Sequence, residues 1–278
     1  MLYISSACVK QNSIIDSIIA LKNITKNIEL SGGTKIQNNM LKSIVELRKT
    51  DMFSFLVHSY FPPPSEDFVL NFADTSSKTR DFIIKSMKYV NDLDIEYYSI
   101  HAGFKKEFNI ENELLIDGKD SFSIDGIKEN IFWYYSIFEK KLALENLFPN
   151  GQNETCFGSH IDEIIEIMDL DKRVYLLLDL GHLKISARFY GFDYLKAVNL
   201  LFSNYSNRIL EIHLSENNGL EDDHNMIFSD SIQYMILEKY KKNIMDNNIN
   251  LVIEARGYNI QELKKCYNLI NNMIGEKK

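Results

Sequence analysis

Eight short apolar runs, each of strand length and each followed by an amphipathic stretch, recur along the chain, and this repetition constrains the fold more than anything else in it. The runs are LYISSA (2–7), NIELSG (27–32), FSFLVHSY (53–60), EYYSIHAG (96–103), KLALENLF (141–148), VYLLLDLG (174–181), ILEIHLS (209–215) and NLVIEARG (250–257). Several are near-continuous rather than alternating, the pattern of parallel strands covered on both faces. Between them NSIIDSIIALKNI, NNMLKSIVELRK, TRDFIIKSMKYVNDL, IKENIFWYYSIFEK, HIDEIIEIMD, DYLKAVNLLFSNY, SIQYMILEKYKKNIMDN and IQELKKCYNLINNMI place apolar residues at helical spacing. Ser159, Asp193, Ser231 and Asn259 stand where helix N-caps are expected. Eight strand-then-helix units in 278 residues, with no linker between them, predict one α/β domain over 1–278, a closed (β/α)8 TIM barrel. The competitor is an open doubly wound sheet. That fold is expected to carry a glycine-rich turn after its first strand, and SSACVKQNS has none.

Composition narrows the class. The formal net charge is -8, so nothing in the overall balance advertises a polyanionic partner. Three widely spaced cysteines, Cys8, Cys156 and Cys266, make no disulfide framework and no CxxC pair, which favours a reducing compartment. The N-terminus shows no signal-peptide pattern, and no apolar run approaches the roughly 20 residues of a membrane span. A soluble cytoplasmic protein without a membrane partner is the expectation. The oligomeric state is not fixed by sequence, and a homo-oligomer stays open.

In a barrel the chemistry sits at the C-terminal ends of the strands. There the third run carries His58, the fourth His101, the fifth Glu145, the sixth Asp179 and His182, the seventh His213 with Asp222 and His224 in its loop, and the eighth Glu254. Five of six histidines fall on this rim; His160, at the start of a helix, reads as solvated surface. A carboxylate inside an apolar strand is costly unless paired or metal-bound, and LALEN, LLLDLGH and LVIEA each contain one. Imidazoles with carboxylates are the ligand set of zinc, manganese or iron(II). Nine candidates exceed what one ion uses, so two or three ions bridged by a carboxylate, with Glu145 central in strand order, account for them better. Gly219 is expected to fold the seventh loop back so that Asp222 and His224 reach a further metal, with Asp223 turned to solvent or to a group that supports a ligand.

The remaining candidates are less specific. Glu29 ends the second run on the same rim and reads either as a substrate contact or as half of a buried ion pair. Arg256, the nearby cation in sequence, either grips an anionic substrate group or neutralises carboxylates. Phe61, Phe104 and Phe148 follow strand ends and are candidates for a pocket wall. Cys8 and Trp133 read as core.

The order His58, His101, Glu145, Asp179-x-x-His182, His213, Asp222-x-His224, Glu254 resembles the superfamily of xylose-isomerase-like barrels, which includes sugar epimerases and the endonuclease IV type of abasic-site nuclease. The resemblance spans all eight runs. IELSGG, VHSYFPPP, IHAGF, LALENL, LLLDLGH, IHLSENNG and VIEARG look most like sugar phosphate isomerase/epimerase-like members. By resemblance to the epimerases, Glu145, Asp179, His213 and Glu254 hold one divalent metal, Glu145 and Glu254 move protons on opposite faces of the sugar, and His182 contacts substrate or a second ion. By resemblance to endonuclease IV, His58 and His101 share a first ion with Glu145; Glu145, Asp179, His213 and Glu254 hold a second; His182, Asp222 and His224 hold a third. Multinuclear non-haem iron enzymes that modify peptides are similar in ligand order.

The departures cut both ways. After His213 the text is HLSENNG and then NMIFSDS, unlike the nuclease, and the loops SYFPPPSEDF, FPNGQNET and SENNGLED are not basic enough to grip DNA. The extra histidines exceed what a one-metal epimerase requires. The expectation is therefore a divalent-metal enzyme (Zn2+, Mn2+ or Fe2+, one to three ions) that isomerises or epimerises a sugar or sugar phosphate. The alternative is a multi-zinc phosphoester hydrolase; nucleic acid is disfavoured as a partner but stays open.

Overall fold

The computed structural model describes residues 1–9, 11–35, 37–64, 69–107, 121–149 and 155–275. Parts of two of the loops noted for their lack of basic residues, 65–68 and 150–154, lie outside the described residues.

Eight parallel strands follow one another around a barrel: β1 (Leu2–Ser5), β2 (Asn27–Leu30), β3 (Ser54–Val57), β4 (Tyr97–His101), β5 (Lys141–Glu145), β6 (Val174–Asp179), β7 (Ile209–Leu214) and β8 (Asn250–Ile253). The hydrogen-bonded order is β3-β2-β1-β8-β7-β6-β5-β4. The seam between β3 and β4 is bridged in parallel at His58 and Ser99, so a site residue helps to close the barrel. The strands are buried because each side of them is packed, inward against the barrel interior and outward against helices. Leu2, Ile4, Val57, Ile100, Leu144, Leu178, Ile212 and Val252 are almost wholly buried, and each such side chain stabilises the fold by roughly 1.5–3 kcal/mol.

The helices are α1 (Ile14–Leu21), α2 (Met40–Asp51), α3 (Ser77–Asp92), α4 (Ile124–Ile137), α5 (Ile161–Leu170), α6 (Leu180–Tyr190), α7 (Tyr194–Tyr205), α8 (Ile232–Asp246) and α9 (Ile260–Ile274). Among the described residues, one more helix is present than the eight helical stretches of the sequence: LGHLKISARFY, outside those stretches, forms α6 directly from the strand end. Asp179 supplies both the last residue of β6 and the N-cap, its Oδ1 accepting from the His182 backbone N–H at 2.7 Å. Gly191, at φ 77°, ends the helix in the left-handed conformation that favours glycine.

Of the expected caps, Asp193 accepts from the Lys196 N–H and Asn259 forms a capping box with Glu262. Ser231 occupies its N-cap position, but its hydroxyl accepts from Phe228 N instead of capping the helix. Ser159 is not a cap. His160 is, its Nδ1 accepting from the Asp162 N–H, while the Ser159 hydroxyl donates to Cys156 O. His160 is therefore half-buried, edge-on to Tyr190 and Phe192, rather than plain solvated surface. Trp133 is likewise only partly buried, with the Arg80 guanidinium over its ring. All three cysteines are buried and free, and Cys8 donates to Ile253 O at 3.2 Å. Among the described residues no helix is long and apolar enough to cross a membrane.

Candidate metal centre

Strand register brings the acidic and imidazole side chains to one level. His101 pairs with Glu145 across β4 and β5, and Asp179 with His213 across β6 and β7. Glu145 is the hub. Its Oε2 lies 3.2 Å from His58 Nε2 and 3.3 Å from His101 Nε2; its Oε1 lies 3.4 Å from His182 Nδ1 and 3.7 Å from His213 Nδ1. Glu254 Oε2 approaches His213 Nδ1 at 3.2 Å, and Asp179 Oδ2 stands 3.9 Å from the same nitrogen.

Neighbouring groups orient these side chains. His58 Nδ1 pairs with Ser99 Oγ at 3.1 Å, which aims Nε2 at Glu145. His182 Nδ1 donates to Asn146 O at 2.9 Å, and Asn146 in turn bonds both the N–H and the carbonyl of Asp179. His58 thus has one nitrogen held by the protein frame and the other turned toward Glu145, the usual arrangement around a metal, whereas His101 Nδ1 and His224 Nδ1 are buried without a hydrogen-bond partner.

The loop after β7 returns to the rim as a small hairpin. Glu216 and Asn225 exchange both backbone hydrogen bonds at 2.8 Å. Gly219, at φ 79°, turns the tip, where a Cβ would lie 3.3 Å from Arg188 Cδ. The ladder matters as much as the glycine expected from sequence. It brings Asp222 Oδ2 to 2.8 Å from His224 Nε2 and 3.6 Å from His182 Nε2. His224 itself sits at φ 49°, a left-handed conformation that costs a non-glycine residue energy and that clusters at functional sites. Its carbonyl accepts from Arg256 N at 2.9 Å. Asp223 is exposed, as expected.

The donor set fits divalent cations. Glu145 Oε2, Asp179 Oδ2 and His213 Nδ1 are buried without a hydrogen-bond partner, although oppositely charged atoms stand close by. Side chains that converge on a common point, rather than on each other, produce this combination of short distance and poor hydrogen-bond angle. Among the described residues, four groups each have their donor atoms within 4.8 Å of one another: Glu29–His58–His213, His58–His101–Glu145, Glu145–Asp179–His182 and Asp179–His213–Glu254.

The electrostatics are those of opposed charges in a buried space. Burial alone would raise the Glu145 carboxyl, but the charges of His101 and His58 hold it down at about 2. Burial disfavours the His182 imidazolium, yet Asp179 and Asp222 bring it up to about 10. Burial pushes Asp179 up to about 6 against the pull of His182. At His101 burial prevails over Glu145 and lowers the imidazole to about 4. Such divergent values within one cluster are typical of functional sites.

Seven of the nine candidates, His58, His101, Glu145, His182, Asp222, His224 and Glu254, line a cavity of about 760 Å³ together with Tyr60, Phe104, Leu147, Phe148 and Arg256, whereas Asp179 and His213 are fully buried and do not line it. Phe148 packs against the His182 ring at 4.8 Å. Phe61 does not contribute to the wall; it is fully buried against Tyr89. Glu29 does not reach the cavity either. It lies beneath His213, its Oε2 2.9 Å from Nε2, so the buried ion pair is realised and the substrate contact is not. A second carboxylate, Glu211, sits at the same nitrogen at 3.0 Å and escapes the sequence reading. Its place inside the apolar run RILEIH, two residues before His213 and so on the same strand face, is the signal that marks it.

Comparison with known proteins agrees with this architecture. No protein-family model matches the chain. An uncharacterized protein of Methanocaldococcus jannaschii is 27% identical over 254 residues, which cover 85% of this chain and 78% of that one. Among solved structures, a D-tagatose 3-epimerase-like protein superposes with TM-score 0.67 at 21% identity, covering 99% of both chains. The IOLI protein with a bound zinc atom gives 0.66 at 15%, covering 99% of this chain and 98% of that one. An AP endonuclease, family 2, from Brucella melitensis gives 0.66 at 11%, covering 94% and 95%. The (β/α)8-barrel fold is shared with these structures over nearly their whole length.

Proposed function

We propose that the chain is a divalent-metal-dependent isomerase or epimerase acting on a sugar or sugar phosphate. One observation carries this reading. A dense set of metal-ligand side chains opens into a cavity of about 760 Å³ with aromatic side chains in its walls, and Arg256 is the one Lys or Arg among the described residues that line it. That volume suits a small molecule. A nucleic-acid strand needs several cations along its backbone. One structural neighbour is a D-tagatose 3-epimerase-like protein, and another carries zinc.

Glu145, Asp179, His213 and Glu254 would hold the catalytic ion, with His58 and His101 available to share Glu145 with another. A bound divalent metal supplies Lewis-acid polarisation of a substrate carbonyl, which acidifies the neighbouring C–H. Glu145 and Glu254 approach His213 Nδ1 from β5 and β8, and in this reading one carboxylate removes the proton from that carbon while the other returns it from the opposite face. Phe104 and Phe148 keep bulk water from the carbanionic carbon. His182 and Arg256 orient the substrate's oxygens.

A second reading rests on the Asp222 contacts. Asp222 Oδ2 stands between His182 and His224, a donor set beyond the needs of a one-metal epimerase. It favours a three-ion phosphoester hydrolase, and one structural neighbour is an AP endonuclease.

Protein purified without chelator should be analysed for metals and incubated in D2O with a panel of ketoses and their phosphates. Incorporation of one deuterium beside the carbonyl is the expected result. No exchange on any sugar, together with cleavage of an abasic-site duplex, would replace the first reading with the second.

A further inference from the structure

Glu29 and Glu211 occupy a place where barrel interiors hold apolar side chains. Both are fully buried, and neither lines the cavity. They come from β2 and β7, strands separated in the sheet by β1 and β8, so their carboxyl groups meet inside the barrel. The β6–β7 register helps to put one of them there. Leu176 pairs with Ile209 but Leu177 pairs with Glu211, so β7 carries an extra residue at Leu210 just before Glu211.

Both carboxyl groups aim at one atom. Glu29 Oε2 and Glu211 Oε1 lie 2.9 and 3.0 Å from His213 Nε2. A carboxylate accepts hydrogen bonds and does not donate them, so the hydrogen belongs on Nε2. With the hydrogen held there, Nδ1 is the nitrogen left to give its lone pair to a cation once the ring is neutral. That nitrogen has no hydrogen-bond partner of its own and faces Glu254, Glu145 and Asp179 at 3.2, 3.7 and 3.9 Å. Rotating the ring by half a turn would set a C–H group against both glutamates and remove the lone pair from the centre.

Two buried carboxylates at one imidazole nitrogen are an expensive way to build a barrel core. We propose that Glu29 and Glu211 are positioning residues that clamp the Nε2–H of His213 and thereby dedicate its Nδ1 to the metal ion. Neither glutamate lines the cavity, and with a hydrogen on His213 Nε2 the Glu29–His58–His213 group lacks its imidazole donor, so in this role neither glutamate is a ligand. They act through His213, by fixing its tautomer and ring orientation and by making it a stronger donor. The inference rests on the metal reading of the cavity and adds to it the device that selects one nitrogen of one ligand.

The test uses the full chain, stripped with chelator and titrated with Zn2+ against a competing indicator. The variant Glu29→Leu/Glu211→Leu removes both acceptors at similar volume. Glu29→Gln/Glu211→Gln keeps an acceptor oxygen on each side chain and serves as the rescue. Zinc affinity is expected to fall 10–100-fold in the leucine variant, the usual consequence of removing such a partner, and to stay within a few-fold of wild type in the glutamine variant. Thermal unfolding without metal separates this loss from misfolding. Histidine 15N NMR of zinc-loaded wild type gives a readout that needs no variant: a His213 proton on Nε2 with Nδ1 shifted by metal is expected, and a proton on Nδ1 overturns the clamp. Zinc bound equally tightly by wild type and both variants also overturns the clamp alone. Wild-type protein that takes up no zinc overturns the metal reading and the clamp with it.

Discussion

Glu145 Oε2 stands 3.2 Å from His58 Nε2, and this contact links the two halves of the site. His58 belongs to the β3–β4 seam; Glu145, through its other oxygen, belongs with His182 and His213. A single carboxylate that serves both sides is what a bridging ligand must be. Glu145→Gln should therefore lose metal from more than one position at once, and turnover should drop by about 10²–10⁴-fold, since an acid/base group is removed as well. Elemental analysis beside steady-state kinetics checks this. A variant with wild-type metal content would show that Glu145 does not bridge.

The turn that joins β6 to α6 predicts a second effect. A Cβ at Gly181 would lie 2.9 Å from Ser215 O, 3.0 Å from Asn217 Nδ2 and 3.1 Å from Ser215 Oγ. Gly181→Ala must therefore push this turn away from the β7 loop, and the turn carries Asp179 and His182. Overpacking of this kind typically costs about 1–3 kcal/mol, and metal content should fall with stability. Gly191→Ala is the matched control. That glycine has a left-handed φ of 77° and open space around it, so its replacement strains the helix end alone. Unfolding temperature should drop in both variants, whereas metal loss should be confined to Gly181→Ala.

Much of this was legible in the residues. Apolar runs at regular spacing define the strands because each is covered on both sides, and the acidic residues inside them stand out because an unpaired buried carboxylate is untenable. Three features were hidden. The helix α6 begins with no loop before it, so DLGH reads as strand end and metal ligand when Asp179 is also a helix cap. Glu211 shares its strand face with His213, two residues on, but the strand alone cannot tell that it will meet Glu29 at the same nitrogen. Glu29 looks like a rim residue by position, but its side chain turns under His213 instead of toward the cavity.

The pH dependence of stability has a definite sign in the metal-free protein. The His182 imidazole is raised from 6.5 to about 10, so the folded state keeps a proton that the unfolded chain releases. Its stabilising contribution is complete below pH 6.5 and is lost as pH rises through about 10. The Glu145 carboxyl, lowered from 4.5 to about 2, contributes above pH 4.5 and loses its contribution as pH falls through 2, so it is constant in the alkaline window. Unfolding temperature without metal should therefore decline from pH 7 to pH 10. Zinc competes with the same proton, and its stabilisation should grow over that range. Scanning calorimetry with EDTA and with Zn2+ measures both slopes; parallel curves would mean that His182 gives up no proton to metal.

Arg256 separates a sugar from a sugar phosphate. Its backbone is fixed through His224 O at 2.9 Å, two residues beyond Glu254, and its exposed side chain lines the cavity. Among the described residues it has no carboxylate within ion-pair distance, so its charge is available to a ligand. A hydrogen bond to a charged group contributes about 1.5–3 kcal/mol, which corresponds to roughly 10–150-fold in binding. Arg256→Ala should raise KM for a phosphorylated ketose by that factor and leave kcat nearly unchanged, because the interaction is remote from the reacting carbon. KM for the unphosphorylated sugar should not move. Equal losses on both substrates would assign Arg256 to the shape of the site and remove the phosphate from the substrate description.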